Sequence, residues 1–149
     1  MKKFFVLVFF ISFSSVCFAG IPKDLEERLL SHPWNGFITN VDSLSNSQIQ
    51  ILINFIRDER GPLNATITLY NYETGNGRFN FTRFADVKYN NVKEHLLISW
   101  WPPLTPKNRQ TWILESTFIA DTFISGLFLE QPRTEEPDVL VEKGTFRIQ

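Results

Sequence analysis

Ile49-Gln50-Ile51-Leu52-Ile53-Asn54-Phe55-Ile56-Arg57 and Arg78-Phe79-Asn80-Phe81-Thr82-Arg83-Phe84-Ala85-Asp86-Val87 are the stretches that decide the fold class. In the first, Ile49, Ile51, Ile53 and Phe55 fall on one side of an extended chain, with Gln50 and Asn54 on the other. In the second, Phe79, Phe81, Ala85 and Val87 share a side, and Arg78, Asn80, Thr82 and Asp86 lie opposite. A period of two marks a strand with one dry face and one wet face.

Outward from these two, the chain reads as eight such runs: Trp34–Val41, Ile49–Arg57, Asn64–Tyr72, Arg78–Tyr89, His95–Trp101, Thr111–Ile119, Phe123–Glu130 and Val139–Ile148. Asp42 to Asn46, Arg60-Gly61-Pro62, Thr74-Gly75-Asn76-Gly77, Asn90-Asn91, Pro102 to Asn108 and Pro132 to Asp138 supply the breaks. Ala120-Asp121-Thr122 is the weakest turn, so the sixth and seventh runs also read as one bent strand. Ahead of the strands, Ile21 to His32 reads as a short helix. Leu25 and Leu29 share a face, Asp24, Glu26 and Glu27 sit early, Pro22 suits the first turn, and Pro33 stops it. The expectation is an all-β domain: an eight-stranded antiparallel up-and-down barrel with a short N-terminal helix, with a β-sandwich as the alternative. One domain spans 20–149, the helix within 20–33 and the strands over 34–149.

Residues 1–19 stand apart. Met1-Lys2-Lys3 is a short positive region, Phe4 to Phe13 is almost wholly apolar, and the segment ends on Cys17-Phe18-Ala19. That order predicts a secretory signal peptide cut after Ala19. Ser12, Ser14 and Ser15 interrupt the apolar run below the length of a membrane-spanning helix. Without Lys2 and Lys3, the fifteen basic residues become thirteen against sixteen acidic ones. An acidic balance disfavours nucleic acid or an anionic membrane surface as partners. The only cysteine leaves with the signal, so the exported domain is disulfide-free. The expected location is therefore the periplasm or the extracellular space, of bacterial type.

The layout resembles the calycin-like barrels, the lipocalins and avidins. Trp34 and Gly36 open the first strand after a short helix, and tryptophans recur late, in Ile98-Ser99-Trp100-Trp101 and Thr111-Trp112-Ile113-Leu114. The end reads Ile124-Ser125-Gly126-Leu127-Phe128, a loop, then Gly144-Thr145-Phe146-Arg147-Ile148. The chain departs from the lipocalin pattern in reversing the usual Gly-x-Trp order and in lacking a later Thr-Asp-Tyr element. The polar biotin-contacting residues of avidins have no match. The resemblance implies structural roles for Trp34 and Gly36, with Arg147 covering Trp34 by cation–π packing.

The chain shows no nucleophile elbow, phosphate-binding glycine loop, His-x-His pair or Asp-x-Asp loop. His32 and His95 are far apart and have no sequence-local carboxylate-plus-nucleophile pattern, and His32 is expected to interact with the helix C-terminus. No enzyme activity, metal or cofactor is expected. Two features are candidates for binding. Arg83 interrupts the apolar side of the fourth run, where a guanidinium facing the interior is suited to the carboxylate or phosphate of a ligand, or alternatively pairs with an internal acid or reaches a barrel mouth; Trp112 is the aromatic candidate beside it. Trp101, Pro102 and Pro103 form a stiff segment suited to a protein partner, because adjacent strand residues send one of Trp100 and Trp101 inward and the other outward. The leading expectation is an exported, non-enzymatic binding protein with a small apolar or amphipathic ligand inside the barrel. The alternatives are an interaction module, such as an inhibitor of a secreted hydrolase or a host-directed effector, and an outer-membrane barrel.

Overall fold

The structure is a computed structural model, and it describes residues 20–40, 48–57, 59, 61–74, 77–102, 110–132 and 139–149. Pro103 and the expected signal segment lie outside the described residues. Among the described residues, one helix, α1 (Lys23–Leu30), precedes eight strands: β1 (Trp34–Asn40), β2 (Gln48–Arg57), β3 (Leu63–Thr74), β4 (Gly77–Asn90), β5 (His95–Trp100), β6 (Thr111–Ile119), β7 (Ile124–Gln131) and β8 (Val141–Ile148). Each strand pairs antiparallel with the next, and β8 returns to β1, closing the barrel. Closure leaves no free first or last strand, which the sandwich alternative would have left. The turn at Ala120–Phe123 is real: the Ala120 amide donates to the Phe123 carbonyl at 2.9 Å, so β6 and β7 are separate strands.

Alternation places the core. Ile51, Ile53 and Phe55 of β2, Leu63 to Leu69 at every second position of β3, and Leu96, Ile98 and Trp100 of β5 are buried. Three β-bulges adjust this parity. In β3 the register shifts between Leu69 and Tyr72, with Asn71 at φ 52°, so Tyr72 rather than Asn71 turns inward opposite Phe79. Shifts also occur between Ser116 and Phe118, and between Phe128 and Leu129. Ser116, buried among apolar residues, accepts the Leu96 amide through Oγ at 2.7 Å.

The helix closes one end of the barrel. Leu25 and Leu29 are buried, while Glu26 pairs with Arg57 at the end of β2 and Arg28 with Asp121 in the β6–β7 turn at 2.9 Å. Its C-terminal carbonyls are met by side chains: Ser31 Oγ donates to the Arg28 carbonyl at 2.7 Å, and Trp34 Nε1 to that of Leu29 at 3.1 Å. His32 makes no such bond itself. With the serine proton committed to Arg28, its Nδ1 donates to Ser31 Oγ at 2.8 Å, and its ring stacks on Trp34 at 4.6 Å.

Arg147 does not cover Trp34. Trp34 points into the barrel with no exposure, whereas Arg147 is an outward, exposed position between buried Phe146 and Ile148. Its guanidinium lies over Phe123 at 4.2 Å, on the outer surface. Strand parity forbids the expected contact: the two side chains stand on opposite faces of the wall.

Candidate functional site

At the end opposite α1, β4 runs past the end of β5. β4 has fourteen residues and β5 only six, and their ladder runs from Asp86↔Ser99 to Asn90↔His95. From Phe79 to Ala85, β4 is therefore paired with β3 alone among the described residues. Where β5 ends, a groove of about 490 Å³ opens to solvent. Arg83, Phe84, Ala85 and Asp86 form one wall, Ser99, Trp100 and Trp101 the other, and Asn64 and Thr111 complete it. Ala85 faces Ala65 across β3–β4, and both small side chains are buried at this level.

Trp100 joins the groove to the interior. It is buried, while Trp101 is 77% exposed and Pro102 is buried. Trp100 pairs in register with Trp112, and the two indoles meet edge to face with centroids 6.0 Å apart. Trp112 also meets Phe128 at 5.2 Å and Tyr72 at 5.8 Å, and Tyr72 reaches Phe81 at 6.0 Å. The result is an aromatic cluster built from β3, β4, β5, β6 and β7. The indole nitrogens of Trp100 and Trp112 are both buried and make no hydrogen bond among the described residues. An orphan buried N–H costs about 1–3 kcal/mol, which edge-to-face ring contact returns only in part.

Arg83 occupies an inward register position opposite Ile67, as alternation requires. It is nevertheless exposed, because β5 does not reach this level. Its Nη1 donates to the Thr82 carbonyl at 3.0 Å, and the guanidinium lies 5.8 Å from the Phe81 centroid. Among the described residues it has no carboxylate partner. Arg83, Trp100 and Trp101 thus share one groove with Phe84, and Trp112 stands one ring behind it. Phe84, 82% exposed, is a site residue that alternation alone hides, since an outward Phe reads as surface.

Burial, and then the Glu130 carboxylate, push the Tyr72 phenol above its ordinary value. A folded-state value above the unfolded one stabilises the protein fully below pH 10 and is lost as pH rises through the folded value. Alkaline unfolding followed by circular dichroism is therefore expected to begin at higher pH in Tyr72→Phe. An unchanged profile would remove Tyr72 from the alkaline transition.

One carboxylate–imidazole pair escapes the sequence reading. His95 Nδ1 lies 2.9 Å from Glu115 Oε1, and Lys93 Nζ 3.8 Å from the same oxygen. Pairing of β5 with β6 brings these residues together across twenty positions, which no local spacing reveals. They sit at the other end of β5 from Trp100, about 17 Å away at strand rise. No group of three His, Cys, Asp or Glu residues suited to a metal ion occurs among the described residues. No described helix is long and apolar enough to cross a membrane. No protein family, curated protein or solved structure matches this chain.

Proposed function

We propose that this is an exported, non-enzymatic binding protein that takes a small apolar or amphipathic molecule into the groove beside β4, backed by the aromatic cluster. The observation that carries this reading is a groove of about 490 Å³ whose wall residue Trp100 leads into the Trp112, Tyr72 and Phe128 cluster. That volume is within the range of small-molecule sites, which are mainly apolar with a few polar groups. The closed up-and-down topology with a helix at one end supports a calycin-like assignment. The test is native mass spectrometry of protein purified from its own host without refolding. A reproducible adduct that is lost on denaturation is the expected result; a bare mass, together with no tryptophan response to apolar probes, would remove the carrier reading.

Export rests on the character of residues 1–19. Intact-mass analysis of host-derived protein is expected to give a chain beginning at Gly20, recovered from the envelope or the medium. A cytosolic chain retaining Met1 or its successor Lys2 would overturn it. Ile51, Ile53, Ile67, Ile98 and Leu114 are buried inside the barrel, while Asn54, Thr66, Thr82, Asp86 and Lys88 share its outer face with Leu52, Leu97 and Phe84. Outer-membrane barrels distribute polarity the other way, which disfavours that alternative.

A second reading, a protein-interaction surface, is favoured by Phe84 and Trp101 standing exposed on the two walls of one groove. Aromatic side chains of this kind anchor protein interfaces.

A further inference from the structure

We propose that the groove selects amphipaths with one anionic head on a planar apolar body, the head held by Arg83 and the body laid against Trp100 and Trp101. This inference rests on the small-molecule reading and names its ligand class.

Arg83 carries a permanent charge and five donor hydrogens. Among the described residues, its polar contacts comprise one bond to the neighbouring Thr82 carbonyl and no ion pair. An arginine used only to keep the chain soluble would turn outward with Thr82 and Phe84. This one takes the inward register, opposite Ile67, at a level beyond the end of β5. An anion there gains charge-assisted bonds from donors already facing the groove. Beside it, Ala85 leaves room that a larger side chain would fill, and Trp100 and Trp101 offer apolar surface across the gap.

Asp86 gives the groove a direction. It lines the same space three residues along β4, about 10 Å away at strand rise, and on the opposite face of the strand. A carboxylate or sulfonate is repelled at that end and attracted at Arg83. The bound molecule therefore has one preferred orientation, and a neutral molecule of the same shape has none.

Two probes that share an aromatic body separate charge selection from apolar binding: 1-anilinonaphthalene-8-sulfonate and its neutral counterpart N-phenyl-1-naphthylamine. Each is titrated against the folded protein, with cooperative unfolding checked for every variant, because the sulfonate also binds loosened states. The sulfonate is expected to bind about tenfold tighter than the amine, the low end for a bond to a charged group. Arg83→Gln should remove that advantage and leave the amine unchanged, and Arg83→Lys should keep part of it. Asp86→Asn should tighten the sulfonate only. Trp101→Ala should weaken both probes, locating them in the groove. Equal binding of the two probes, indifferent to Arg83→Gln, would overturn the anionic preference while leaving the binding reading in place. Binding unaffected by Trp101→Ala would overturn the location. No binding of either probe would bring down the binding reading and this inference together.

Discussion

Gly36→Ala is expected to destabilise the protein by at least about 3 kcal/mol, the upper end for overpacking, and to lower its melting temperature by roughly 10 °C. A Cβ at Gly36 would lie 1.9 Å from the Arg147 carbonyl oxygen and 2.7 Å from Ile148 Cα. Both atoms belong to backbone, so no rotamer change relieves the clash, and β1 must move away from β8. That is the seam where the barrel closes: Gly36 pairs with Ile148, and next to it Asn35 and Gln149 exchange backbone hydrogen bonds of 3.0 and 2.8 Å. Gly126→Ala should behave similarly, its Cβ meeting the Glu115 carbonyl oxygen at 2.0 Å. Gly77 sets the scale from the other side. Its φ of 118° strains any larger residue, but the nearest atom to an added Cβ is 3.7 Å away, so alanine there should cost about 1–3 kcal/mol from backbone strain alone. Thermal unfolding of the three variants checks the order. A Gly36→Ala protein melting with wild type would mean that β1 and β8 are not held this closely in solution.

The seam also marks what was legible in the sequence. Alternation in Ile49 to Phe55 identified a strand with its inward residues, and eight such runs between turn signals sufficed for the barrel. Level within the barrel was not legible. Arg83 has the inward parity that its neighbours imply, yet it is exposed because β5 stops at Trp100 before reaching it. Whether a neighbouring strand reaches a residue depends on strand lengths and stagger, which are properties of the closed sheet and not of any local window. The same limit hid the meeting of Tyr72, Trp100, Trp112 and Phe128, which lie on four strands. Tyr72 was further obscured by the bulge at Asn71, which changes the face a residue occupies without changing the residue pattern. Arg147 failed differently. The resemblance placed it over Trp34, but simple parity against buried Phe146 and Ile148 already assigns it to the outside.

Two buried tryptophans should respond unequally to the same substitution, and the difference reports on the interior. Trp34→Phe is expected to cost about 2–3 kcal/mol. It removes the donor to the Leu29 carbonyl, one of the last helical carbonyls of α1, which has no onward partner in the helix. It also leaves a void in a fully buried site beneath that helix and weakens the 4.6 Å stack on His32. Trp112→Phe removes a similar volume, but among the described residues its indole nitrogen has no hydrogen bond to lose. Deleting an orphan donor returns part of the packing loss, so the expected cost is about 1 kcal/mol or less. Phenylalanine can keep the edge-to-face contacts with Trp100 and Phe128, whereas Trp112→Ala should cost about 3–5 kcal/mol by leaving a cavity between them. Urea unfolding midpoints at unchanged slope measure all three. The ranking carries functional information because Trp112 stands directly behind the groove. If Trp112→Phe proves as costly as Trp34→Phe, then Nε1 of Trp112 has an acceptor in solution. The surroundings of Trp112 would then be polar enough to admit water or the polar end of a ligand. If it is nearly neutral, the surroundings of Trp112 are dry and discrimination belongs to Arg83 at the groove, with the aromatic cluster supplying apolar contact alone.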